Sequence, residues 1–218
     1  MKNPVFRLLI SVFMLSLPVL PVQASQTLEG WPDSWSTQWL THVDGDDAIQ
    51  PFMVSEGTLI IRGEPYGYIR TREVYHHYQL EFEWRWVRET GNSGVLMHMN
   101  GPDQVWPLCI EVQLRAGNAG DIVMINTGSG VTVRGESYLV NGDARFASAT
   151  KTIPEIEKPA GEWNHCKIVN AGTTLEVWIN GEKVNSASSM TLSSGFVGFQ
   201  SEGTPLAIRK LSLVPLQP

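Results

Sequence analysis

The sequence predicts an all-β protein, a sandwich or barrel of short antiparallel strands. Three observations carry that expectation. Apolar and polar residues alternate with period two in several separate segments. Glycine-rich and polar turns punctuate these segments, among them Asn180-Gly181, a pair suited to a two-residue type I′ hairpin. No stretch carries an amphipathic helical pattern of three turns, and residues 142–150 (GDARFASAT) are the single ambiguous place.

The chain has 218 residues. Residues 1–24 read as a secretory signal: Lys2 and Arg7 precede an apolar run over 8–20, and Val22-Gln23-Ala24 offers small residues at the cleavage point. The alternative is a retained anchor, but the run is short for a membrane span and no cysteine near the cleavage point invites a lipid. No later segment is apolar long enough to cross a bilayer. The expected mature chain, 25–218, is a single domain of secreted or periplasmic location. Losing Lys2 and Arg7 leaves 14 basic against 22 acidic residues, a net charge of about −8. An acidic chain without a Lys/Arg cluster argues against nucleic acid and anionic membranes as partners.

Residues 57–63 (GTLIIRG) form a short strand between glycines. Over 75–89, Tyr78, Leu80, Phe82, Trp84 and Trp86 take one face and Gln79, Glu81, Glu83 and Arg85 the other. Strands follow at 93–99 and 109–114. The hairpin spans 173–187, with Val177 and Ile179 on its apolar face. Residues 195–200 and 206–216 close the chain. Cys109 and Cys166 either pair in an oxidising compartment or sit as buried strand residues. Eight tryptophans suit both a core and a sugar-stacking surface.

Four motifs in order, GNSGVLMHM, VWPLCIEVQLRAGNAGDI, KPAGEWNHCKIVNAGTTLEVWINGEKV and GFVGFQSEGTPLAIRKLSL, resemble the 3-keto-disaccharide hydrolase family over residues 30–216. The resemblance implies a concanavalin A-like jelly-roll β-sandwich of two antiparallel sheets, export, and action on glycosides oxidised to a ketone at C3. A carbohydrate substrate follows from it. So does a functional link to a separate sugar 3-oxidoreductase, since this chain has no dinucleotide fingerprint.

In the strand over 109–114, Ile110, Val112 and Leu114 point to the core, leaving Cys109, Glu111, Gln113 and Arg115 opposite. Laminarinase-type glucanases of this architecture carry acidic residues at alternate positions of one strand. Here only Glu111 is a carboxylate, so this strand alone does not supply a two-carboxylate retaining mechanism. A C3 ketone acidifies the hydrogen on C2, and one base then suffices. Glu111 is the expected base, against a solvated sheet face as the bland alternative. Gln113 would donate to a sugar oxygen or help hold a cation, and Arg115 is the lone cation of the stripe.

Parity places Asn92, Gly94, Leu96 and His98 on one face of the 93–99 strand. His98 is therefore a second catalytic candidate, as proton shuttle or metal ligand, or else a structural histidine. Asn92 is a substrate-binding candidate or only a turn residue. Trp106 is a stacking platform or core, and Glu202 is a second carboxylate at the cleft rim. Asn118 and Asp121 in RAGNAGD suit a turn better than a cation. The remaining histidines, His42, His76, His77 and His165, lack ligand spacing. A divalent metal on Glu111, Gln113 or His98 is a further possibility, without which Glu111 remains the base. The rival functions are a noncatalytic carbohydrate-binding module and a scaffold domain.

Overall fold

The computed structural model of the protein describes residues 26–45 and 49–217, so the expected signal segment lies outside the described residues. Among the described residues, two large antiparallel sheets stack face to face. The front sheet has seven strands, in the order Phe146–Ala149, Ile122–Ile125, Leu108–Gln113, Gly94–Asn100, Phe196–Ser201, Gly67–Thr71 and Trp39–Val43. The back sheet runs Glu182–Ala187, Thr174–Ile179, Asn164–Ala171, His77–Trp86, Leu206–Pro215, Thr58–Ile61 and Phe52–Ser55, and Leu28–Glu29 adds to the Leu206–Pro215 strand. The only described helix is the 3-10 turn Trp35–Thr37. This is the all-β, two-sheet jelly-roll sandwich that the sequence leads one to expect. Residues 142–150 resolve into the edge strand Phe146–Ala149 rather than a helix.

Strand alternation fixes the core. Along His77–Trp86 burial alternates at every residue, and Tyr78, Leu80, Phe82, Trp84 and Trp86 all enter the space between the sheets. From the front sheet, Val95, Met97, Ile110, Val112, Leu114 and Phe199 fill the same space. Trp31, Trp39 and Phe199 pack ring to ring there. The outer face of the back sheet is a solvated charge lattice, where Glu83 meets Arg209 at 2.7 Å and Lys210 at 2.8 Å. Such exposed pairs contribute little to stability, about 0–1 kcal/mol each.

The hairpin forms as its turn chemistry demands. Asn180 and Gly181 both adopt the left-handed backbone, φ 52° and 90°, that a type I′ turn requires. The two cysteines are free and buried. Cys166 lies in the core between the sheets, and Cys109 lies on the outer face of the front sheet in a second apolar cluster with Tyr68, Leu96, Met99, Val123 and Ile125. The disulfide alternative is thereby set aside.

One irregularity redirects a side chain. The pairing of Gly94–Asn100 with its neighbour slips between Met97 and Asn100, and His98 there has φ 51°. A bulge inserts one residue and reverses parity beyond it. Met99 consequently turns to the outer cluster, while His98 turns inward.

Candidate functional site

The outer face of the front sheet carries an open cleft of roughly 350 Å³, lined by Asn92, Trp106, Glu111, Gln113, Arg115, Val123, Phe146, Gln200 and Glu202. That volume suits a small organic ligand. Three elements build it. The Leu108–Gln113 strand supplies Glu111 and Gln113, the Phe196–Ser201 strand supplies Gln200, and the turns at the strand ends supply Asn92 and Glu202. Isolated backbone bridges join Asn92 to Glu202 and Gly203, which fixes these turns against each other.

Glu111 occupies the floor. It is 4% exposed, and its Oε1 has no hydrogen-bond partner. Burial, with a smaller contribution from the nearby Glu202 charge, pushes its carboxyl up to about 8. The side chain has room because residue 94, beside it on the neighbouring strand, is glycine. A Cβ at that position would lie 2.0 Å from Oε1. Glu202 is half-buried and its carboxyl is also raised, chiefly by burial. The Trp106 indole N–H donates to it and, with the Arg115 charge, opposes the rise.

Gln113 takes a defined orientation. Its Oε1 accepts the backbone N–H groups of Leu114 at 3.0 Å and Arg115 at 2.9 Å. The carbonyl is therefore occupied, which leaves the amide N–H₂ to face a ligand. This corrects the alternative in which Gln113 helps hold a cation through that oxygen. Arg115 stands exposed at the mouth. Trp106 is half-buried with its carbonyl bonded to Asn126 Nδ2 at 2.6 Å, and the Arg145 guanidinium lies 5.2 Å from its ring centre. Its ring forms the apolar wall of the cleft together with Val123 and Phe146.

His98 is not in the cleft, and this corrects its assignment as a catalytic or metal-binding candidate. The bulge sends it into the interior, where it is fully buried. Its Nδ1 lies 2.7 Å from the Leu192 carbonyl and its Nε2 lies 3.0 Å from Asn170 Nδ2. The ring meets Tyr78 edge to face. Donation from Nδ1–H to Leu192 and acceptance at Nε2 satisfy a neutral imidazole, and burial lowers its pKa to about 4. His98 therefore drops out of the alternatives for a metal ligand, and Glu111 and Gln113 share the cleft without it. Among the described residues no group of three or more His, Cys, Asp or Glu side chains is placed to hold a metal.

The RAGNAGD loop is a braced turn. Asn118 Nδ2 donates to Asp121 at 3.1 Å, Asp121 accepts the Lys151 backbone N–H at 2.8 Å, and Glu157 accepts the backbone N–H groups of Gly117 and Ala119. The sequence reading missed Gln200 as a site residue. Alternation sets Gln200 opposite the core-facing Phe199, but local alternation does not show which neighbouring strands share that face. Gln200 is 2% exposed, and its Oε1, like the Oδ1 of Asn92, is buried without a partner.

Solved structures share the architecture. A glycosyl hydrolase candidate from Parabacteroides distasonis ATCC 8503 is 16% identical, with a TM-score of 0.61 over 88% of this chain and 100% of that one. The Bacillus licheniformis β-glucanase is 10% identical, with a TM-score of 0.58 over 89% and 100%. The carbohydrate-binding module CBM66 from Bacillus subtilis is 10% identical, with a TM-score of 0.56 over 81% and 95%. At these identities the likeness is one of fold. No curated protein matches the chain. The family model for the 3-keto-alpha-glucoside-1,2-lyase-like domain matches residues 24–214, nearly the whole sequence, and the chain belongs to that family.

Proposed function

We propose that this protein cleaves glycosides whose sugar bears a ketone at C3, with Glu111 as the base. The observation that carries the reading is the Glu111 carboxyl itself, buried, unpartnered and raised to about 8 on the floor of an open cleft. A carboxylate of that basicity is suited to taking a proton from carbon near neutral pH. In its ionised form it removes the hydrogen on C2. The C2–H electron pair moves to the C3 oxygen as an enolate. The enolate collapses to the ketone, forms the C1–C2 double bond and breaks the bond from C1 to the glycosidic oxygen. The departing oxygen takes a proton, from Glu111 or from Glu202. Water then adds across the enone to complete net hydrolysis. The Gln113 amide N–H₂ is the cleft's fixed donor for a sugar or enolate oxygen.

Export of the mature chain belongs to this reading and rests on the leader pattern alone. The ketone has to come from a separate oxidoreductase that acts on the sugar first. The likeness to CBM66 favours a second reading, a noncatalytic sugar-binding module. Incubation of a 3-keto-glycoside in D₂O separates the two. Abstraction and hydration leave deuterium at C2 of the released sugar. Direct hydrolysis leaves hydrogen there, and a binding module releases nothing.

A further inference from the structure

We infer that the polar end of the cleft receives the hydroxyl donors of a neutral sugar and discriminates against sugars carrying a carboxylate or phosphate, with Gln200 as a specificity-determining residue. The inference rests on the glycoside reading above and adds to it the charge class of the substrate.

Gln200 and Asn92 line one cleft, and each has a buried side-chain carbonyl oxygen, Oε1 and Oδ1, that lacks any donor among the described residues. An amide oxygen accepts hydrogen bonds and cannot give one. Buried acceptors without donors are costly, and in folded proteins they find a partner. The backbones of both residues are held in place. The Gln200 backbone carbonyl accepts the Ser93 hydroxyl at 2.8 Å, and its strand position pairs with Tyr68. Asn92 is bridged to Glu202 and Gly203. A ligand hydroxyl entering the cleft beside these fixed backbones would supply the donor that each oxygen lacks.

The charges around them select which donor. Glu111 and Glu202 place two carboxyl groups on the cleft, and Arg115, exposed at its mouth, is the one cationic side chain lining it among the described residues. An O–H group satisfies a carbonyl oxygen and brings no charge. A carboxylate or phosphate brings further acceptors to a surface that already has unpaired ones, and a negative charge next to the Glu202 carboxyl. A divalent cation would also suit several oxygens. Glu202, however, is engaged by the Trp106 indole, and Gln113 has its carbonyl committed to the backbone. The opposite wall, Trp106, Val123 and Phe146, is apolar and leaves orientation to the polar end.

Calorimetric titration of the metal-free protein at pH 7 tests this, with methyl glucoside and methyl glucuronide as probes, both anomers of each. The neutral sugar is expected to bind at least tenfold more tightly than the uronate. Gln200→Leu is expected to weaken neutral-sugar binding tenfold or more, with an unfolding midpoint no lower than that of the parent, since it replaces an unpartnered buried amide. Equal affinity for the uronate, no binding of the glucoside, an unaffected Gln200→Leu variant, or micromolar binding of Mn²⁺ or Ca²⁺ abolished by Gln200→Leu would each overturn it. Binding preference without cleavage of 3-keto-glycosides would sink the activity reading alone. Cleavage without charge preference would sink this inference alone.

Discussion

The Glu111 carboxyl lies over the α-carbon of Gly94, so closely that a Cβ on Gly94 would stand 2.0 Å from Oε1, 2.6 Å from Cδ and 2.8 Å from Cγ. Gly94 has no left-handed φ, so alanine is permitted there by the backbone and excluded only by the carboxyl. Gly94→Ala should displace the Glu111 side chain, cost about 1–3 kcal/mol through overpacking, and lower turnover of a 3-keto-glycoside at least tenfold. Denaturant unfolding and a rate assay check both. Parent-like turnover would show that the position of Glu111 is immaterial.

Glu111→Gln keeps the shape and removes the basic lone pair, so turnover should be lost with the fold intact. The same variant reports on linkage. A carboxyl raised from 4.5 to about 8 takes up a proton on folding between those pH values. Its stabilising contribution is complete below pH 4.5 and is lost as pH rises towards and through 8. Parent and variant should therefore diverge with increasing pH, with the variant the more stable at pH 8 by a few kcal/mol, on the order of the shift at about 1.4 kcal/mol per pH unit. Thermal melts across pH 4–9 measure the difference.

The pH dependence of kcat/KM should rise with pH and level off above about 8, where Glu111 is ionised in the free enzyme. The Glu202 charge contributes to that value, so in Glu202→Gln the rising limb should move to lower pH. A limb that stays in place would separate the two carboxyl groups electrostatically.

His98 gives the opposite sign. Its pKa is lowered from 6.5 to about 4, so unfolding takes up a proton in that window. Its contribution to stability is present above pH 6.5 and disappears as pH falls through 4, a loss of about 3 kcal/mol at most. A variant such as His98→Gln should flatten the acid side of the stability profile while leaving the pH–rate limb near 8 unchanged. A shift of that limb would return His98 to the chemistry.

The strands of the core were legible because period-two alternation is a direct consequence of a sheet with one buried face. Glu111 came out of the same rule, since Ile110 and Val112 had to face inward. The rule failed at His98. It assumes an unbroken register, and the left-handed residue that breaks it carries no glycine or proline to announce it. Gln200 was missed for a different reason. Its importance comes from an unpartnered oxygen sharing a cleft with Asn92 and Glu111, and such a juxtaposition is made by strand order, which local alternation does not encode.

Cleavage by one buried carboxyl requires the ketone. Purified protein incubated in parallel with a 3-keto-disaccharide and its unoxidised parent, with product analysis over time, measures this most directly. Single-base chemistry predicts cleavage of the keto sugar and none of the parent. Hydrolysis of the parent at a rate equal to that of the 3-keto form, or an inert 3-keto form, would contradict it.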